Sequence, residues 1–273
     1  MRQIILISGI IIAVMMLLMY VFQRHLIYFP SHERPILSHY QIKDMQVVHV
    51  QTHDGISLAS WYKPAQTNQP TLLYLHGNAG NIGNRILLAK QFIDMGFGFL
   101  LLEYRGYGGN KGQPTEQGLY EDGRAGLRFL HQQGIKSEQI VLYGESLGTG
   151  IATKLAIEVN ICAVVLQSPY TSLSNLAHYH YPWVWFNPWD QFDSLSRIDE
   201  INAPLLILHG KKDGIVPYSH GIQLFRQARE PKKMLSFDNV GHNNIWNATD
   251  FTKKISYFIK RHCDLCANLG PKE

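Results

Sequence analysis

Ser146 sits in Gly144-Glu145-Ser146-Leu147-Gly148, after the apolar run Gln-Ile-Val-Leu-Tyr (139–143) and before Thr-Gly-Ile-Ala-Thr-Lys-Leu-Ala (149–156). A hydroxyl is a weak nucleophile until a neighbouring base takes its proton and N–H donors hold the charge developing on its target. A sharp strand-to-helix turn at G-x-S-x-G exposes the serine and points it at a helix N-terminus, where negative charge is favoured. The flanking glycines remove side chains that would clash in so tight a turn. Alone, the pattern is a glycine-rich turn with an incidental serine; the strand before it and the helix after it make Ser146 a candidate nucleophile.

Two further residues complete that chemistry. Asp213 lies in Leu208-His209-Gly210-Lys211-Lys212-Asp213-Gly214, just past an apolar run. There a carboxylate can orient an imidazole and stabilise its protonated form. His242 lies in Asn239-Val240-Gly241-His242-Asn243-Asn244, beyond the last apolar run. The chain has 13 histidines, so type alone singles out none. Position does: Ser146, Asp213 and His242 follow in the order serine, acid, histidine. For an oxyanion, the donors expected are the backbone N–H groups of Leu147 and of Asn78, with Ala79 the fallback. Asn78 lies in His76-Gly77-Asn78-Ala79-Gly80-Asn81, whose glycines allow close approach. His76 is read as a structural residue holding that loop, not as a second base.

These residues need a scaffold. Apolar runs at 45–52, 57–63, 71–76, 97–103, 139–143, 162–167, 204–209 and 233–237 read as strands. Helical spacing separates most of them, as at Ile86, Leu87, Ala89, Lys90 and Ile93. Unbroken apolar strands alternating with helices predict an α/β fold, a mainly parallel sheet covered on both faces. His53-Asp54-Gly55 predicts an antiparallel N-terminal hairpin at one edge. Every motif above follows a strand's carboxyl end, where such sheets place their chemistry.

With 273 residues, 45% hydrophobic, the chain can bury a full core. A formal charge of +4 and scattered lysines give no dense basic run, so nucleic acid is not an expected partner. Residues 4–22 are almost wholly apolar. As a helix they would span roughly 28 Å, about the thickness of a bilayer's hydrocarbon core. Lacking a small-x-small cleavage site, they read as an uncleaved membrane anchor. Arg2 and the amino terminus flank one end, Arg24 and Arg34 the other, leaving the membrane face open. The expected organisation is an anchor (1–24), a juxtamembrane linker (25–44), a catalytic domain (45–262) with a lid at about 170–200, and a tail (263–273). The motifs lie beyond Pro35, so a chain lacking 1–24 is expected to remain active. The three cysteines suggest no disulfide framework: Cys162 reads as strand filler, Cys263 and Cys266 as an inert or opportunistically oxidised C-x-x-C.

The four motifs together resemble the α/β-hydrolase family across residues 35–262. The layout is most similar to its membrane-tethered members, with the anchor, Leu-Ile-Tyr-Phe-Pro (26–30) and Tyr-Arg-Gly-Tyr-Gly (104–108). Glu103 stands where that family commonly has Asp, and Asn110 where Ser is common. The resemblance implies the α/β-hydrolase fold and a Ser146–His242–Asp213 triad. It also implies an ester or thioester substrate, small or lipid-like, hydrolysed through an acyl-enzyme with no cofactor and no metal. Residues 178–189 crowd three tryptophans, two tyrosines and a phenylalanine into the lid. These form an acyl pocket or membrane contact, or else merely cover the sheet edge. Two other readings stay open: a serine peptidase of the prolyl-oligopeptidase type, and an idle binding protein on the same fold.

Overall fold

The computed structural model describes residues 1–263. All eight predicted strands form, with ends shifted by a residue or two: β1 (Gln46–Gln51), β2 (Ser57–Lys63), β3 (Thr71–Leu75), β4 (Gly98–Leu102), β5 (Ile140–Glu145), β6 (Ala163–Gln167), β7 (Leu205–Gly210) and β8 (Lys232–Phe237). They make one sheet in the order β8-β7-β6-β5-β3-β4-β2-β1. Among the described residues its only antiparallel pairings are β1 with β2 and β2 with β4, so β2 alone runs against the other strands. The order reverses between β3 and β5. The crevice above their carboxyl ends is where a ligand fits in a sheet of this kind.

The helices are α1 (Arg2–Val21), α2 (Gln23–Ile27), α3 (Ile86–Asp94), α4 (Glu116–Gln132), α5 (Leu147–Glu158), α6 (Leu173–His180), α7 (Tyr218–Gln227) and α8 (Phe251–His262). Because side chains alternate along a strand, each buried strand feeds both layers. Leu72 and Tyr74 of β3 join Phe92 of α3 and Ile255 of α8 on one face. Leu73 and Leu75 join Leu127 of α4, Leu155 of α5 and Leu224 of α7 on the other. The fold is therefore the α/β-hydrolase arrangement: a mainly parallel sheet, helices on both faces, and an antiparallel N-terminal hairpin.

α1 contains no buried residue and is long and apolar enough to be a membrane anchor or a signal sequence. α2 follows it directly and packs on the globular part, where Gln23 and Tyr28 are buried. Within the segment expected to be a juxtamembrane linker (25–44), Tyr28 is buried.

One cysteine expectation is corrected. Cys162 and Cys263 are 101 residues apart in sequence, which hides the pairing. The fold sets the start of β6 beside the end of α8, with the two Cα atoms 5.5 Å apart, and the cysteines form a disulfide. Cys266 lies outside the described residues.

Candidate active site

Ser146 occupies the turn between β5 and α5 with φ 50° and ψ −115°. An L-residue in that region costs on the order of 1–3 kcal/mol, so the surroundings must enforce it. They do so by close packing. A Cβ on Gly148 would stand 2.0 Å from the Leu75 carbonyl oxygen, so only glycine lets α5 sit this tightly on β3. Ser146 N–H donates to Gln167 O at 2.9 Å, tying the turn to β6.

His242 Nε2 is 2.8 Å from Ser146 Oγ, and His242 Nδ1 is 2.7 Å from Asp213 Oδ2. All three predicted residues therefore meet, from three separate strand ends. The other oxygen of Asp213 accepts from Ile215 N–H at 2.9 Å and Val216 N–H at 2.8 Å. Burial alone would raise this carboxyl. Hydrogen bonding from the His209 and His242 rings and the Val216 amide outweighs burial and holds it well below the usual carboxylate range. The His209 ring stands farther off, at 3.5 Å, because its Nε2 sits 2.9 Å from Val216 O. That bond fixes the turn presenting Asp213. It was not legible in sequence, since His209 looks like one more strand residue.

Asn78 and Leu147 both line the cavity beside Ser146. Asn78 is fastened from three directions. Its carbonyl accepts from Phe29 N–H at 3.0 Å and from the Tyr107 hydroxyl at 2.8 Å, and its side-chain amide donates to Ile27 O at 3.0 Å. With side chain and carbonyl so engaged, the backbone N–H is the group left to meet a ligand. Phe29-Pro30 also pairs in parallel with Ala79-Gly80. The stretch at 26–30, noted in sequence only as a resemblance, thus props the loop after β3.

The Tyr-Arg-Gly-Tyr-Gly run is scaffolding for the same loop. Tyr104 donates to His76 O at 3.0 Å, and Gly108 N–H donates to Ser31 O at 2.8 Å. His76 is fully buried, with Nδ1 2.7 Å from Gly77 O and Nε2 3.0 Å from Glu103 Oε1. It does not line the cavity. Glu103 Oε2 accepts from Ile82 N–H at 3.0 Å, and Asn110 Oδ1 from Ala59 N–H at 2.9 Å. Both departures from the family's pattern therefore bond backbone groups away from Ser146.

Sequence reasoning missed two clusters. Glu145, beside the nucleophile, meets Arg85 in a two-pronged pair at 3.1 and 3.2 Å and accepts from Tyr74 at 2.8 Å. Burial pushes its carboxyl up, but the Arg85 charge and these bonds win and hold it below its ordinary value. Asp190, in the lid, accepts from Arg24 Nε at 2.9 Å, Tyr28 Oη at 3.0 Å and Glu116 N–H at 3.1 Å. Nothing in the local sequence of either carboxylate announces a partner so distant along the chain.

The cavity over Ser146 measures about 420 Å³, within the range of small-molecule sites. Its walls are mostly apolar: Leu26 and Ile27 from α2, Leu173, Leu176 and Ala177 from α6, and Ile215 beyond β7. Among the described residues, no Asp or Glu lines it. Tyr170 lines it as well. Ser168 is buried outside the lining, with its hydroxyl unpartnered among the described residues.

Comparison with known proteins follows the same lines. Residues 66–189 match the family model "Serine aminopeptidase, S33", and residues 172–249 match the model "alpha/beta hydrolase fold". An uncharacterized protein of Mycobacterium tuberculosis is 40% identical over 228 residues, covering 81% of each chain. Human alpha/beta hydrolase domain-containing protein 17B is 32% identical over 196 residues, 70% of this chain and 66% of that one. Among solved structures, the Pyrococcus furiosus esterase Pf2001 superposes with a TM-score of 0.72 at 18% identity, covering 86% of this chain and 97% of that one.

Proposed function

The chain belongs to the α/β-hydrolase superfamily, and from that premise we propose that it is a membrane-anchored serine hydrolase of carboxylic esters or thioesters. The observation carrying this reading is the line of contacts from Ser146 Oγ to His242 Nε2 to the ionised Asp213, opening on a mostly apolar cavity.

In this mechanism Ser146 Oγ attacks the acyl carbon while His242 Nε2 takes its proton. The N–H groups of Asn78 and Leu147 hold the oxyanion. The C–O or C–S bond then breaks, and the imidazolium returns the proton to the leaving oxygen or sulfur. Water, deprotonated by the same ring, hydrolyses the acyl-enzyme. Asp213 keeps Nδ1 protonated and its ring aimed at Ser146. α1 would hold the domain at the bilayer.

The peptidase reading has one observation in its favour, the aminopeptidase family model over residues 66–189. An aminopeptidase needs a group to receive a substrate ammonium, and a cavity wall without Asp or Glu offers poor means. The name of the Pyrococcus neighbour, an esterase, agrees with the ester reading. An idle binding protein has no need of all three triad positions.

The test is turnover of 4-nitrophenyl acetate, an S-acyl thioester and an amino-acid 4-nitroanilide by the full chain in vesicles. Ester and thioester hydrolysis that falls by several orders of magnitude in Ser146→Ala supports the proposal. Anilide turnover alone would support a peptidase, and no turnover an idle protein.

A further inference from the structure

The last turn of α1 and one side of α2 contribute to the substrate cavity. Met19 and Gln23 line it together with Leu26 and Ile27, facing α6 across the opening above Ser146. The lid is fastened to this segment at several points. Arg24 grips Asp190 with two bonds of 2.9 and 3.3 Å, and Trp189 N–H donates to the Gln23 side chain. Tyr20, still within α1, sets its ring edge-on at 5.3 Å from both Phe186 and Trp189. The same lid leaves Trp183 and Trp185 exposed, Trp185 at 82%. Indole rings favour the boundary between headgroups and acyl chains.

We propose that the acyl chain of the substrate enters from the bilayer between α1–α2 and the lid, and that Met19, Leu26 and Ile27 form one wall of its binding site. This rests on the hydrolase reading above and adds where the acyl chain lies and how it arrives. A helix that crosses the bilayer and whose last turn reaches the cavity sets the cavity mouth at the membrane surface. An acyl chain moving there stays against apolar surface throughout, with no transfer through water. The carbonyl at its end then reaches Ser146 at the cavity floor. Cleavage leaves the acyl group on Ser146 Oγ and the proton on the departing alcohol or thiol. Hydrolysis releases the fatty acid toward the lipid it came from.

The experiment uses the full chain in phosphatidylcholine vesicles with 4-nitrophenyl acetate and laurate. Leu26→Trp and Leu176→Trp fill the two facing walls. Each is expected to lower the laurate-to-acetate ratio of kcat/KM by about tenfold or more. An unchanged ratio overturns the proposal. Should the wild-type chain hydrolyse neither ester, or Ser146→Ala hydrolyse both, the failure belongs to the underlying hydrolase reading instead. A second measurement needs no variant. A lauroyl-length fluorophosphonate carrying a terminal diazirine, photolysed after reaction with the wild-type chain in vesicles, is expected to cross-link peptides containing residues 19–27 or 173–177. Cross-links confined to other peptides overturn the assignment.

Discussion

Gly210 lies so close to Val240 that a Cβ at position 210 would stand 2.4 Å from the Val240 carbonyl oxygen. The loops carrying Asp213 and His242 cross at this contact. Beside it, Lys211 N–H donates to Phe237 O at 2.8 Å and Lys212 N–H to Val240 O at 3.1 Å. A methyl group there forces the loops apart, and the His242–Asp213 bond lengthens with them. Gly210→Ala is expected to keep its fold by circular dichroism and lose about a hundredfold in kcat/KM on 4-nitrophenyl acetate. Unchanged kcat/KM would mean that the triad does not depend on this approach.

Arg105 ties the site's scaffold to two carboxylates. Its Nε donates to Asp122 at 2.9 Å, and its terminal nitrogens reach Asp54 at 2.7 and 3.1 Å. Burial pushes the Asp122 carboxyl up to about 6, against the pull of Arg105. Arg105→Met leaves that buried carboxylate without its partner and is expected to cost about 3–5 kcal/mol in urea unfolding at pH 8. A carboxyl raised in the folded state contributes stability below its unfolded pKa and loses it as pH rises through the folded value. Without Arg105 the folded carboxyl rises further, so the deficit of the variant should shrink as pH falls from 8 toward about 6 and level off below it, where the carboxyl is protonated in both folded chains. A pH-independent deficit would contradict this assignment of charge.

Asp213 has the opposite sign. Its carboxyl is depressed on folding, so the stability it contributes is present above the ordinary carboxylate range and is lost as pH falls through its lower folded value. The difference in urea midpoint between wild type and Asp213→Asn should narrow steadily below about pH 4. Activity in the same variant should drop by about three to four orders of magnitude, since Asn favours the wrong tautomer of His242. A midpoint difference that widens in acid would show that the carboxylate is not stabilised by folding.

The sheet was legible in sequence because its central strands are buried apolar runs, and the edge hairpin because His53-Asp54-Gly55 marks its turn. Ser146, Asp213 and His242 were legible because each follows such a run, in the order the fold imposes. What stayed hidden depends on contacts between distant segments. Asp190 carries no mark in its own stretch of sequence, yet it is buried against Arg24 and Tyr28. Gln23 and Arg24 read as the polar end of an anchor, yet they hold the lid. The pairing of Cys162 with Cys263 was invisible for the same reason: only the closed fold brings β6 beside the end of α8.

That pairing gives a direct count. With three cysteines in the chain and one disulfide, denatured protein purified without reductant is expected to titrate one thiol, and three after reduction. Reduction should lower stability by about 2–5 kcal/mol in urea. Three thiols before reduction would contradict the cross-link.

The central claim is that Ser146 is the nucleophile, activated by His242 under the orientation of Asp213. Intact-mass and peptide analysis after reaction with a fluorophosphonate tests it most directly. One adduct is expected per chain, on the peptide containing Ser146. The rate of labelling should fall by orders of magnitude in His242→Ala and vanish in Ser146→Ala. An adduct on any other residue, or undiminished labelling of Ser146→Ala, would contradict the account.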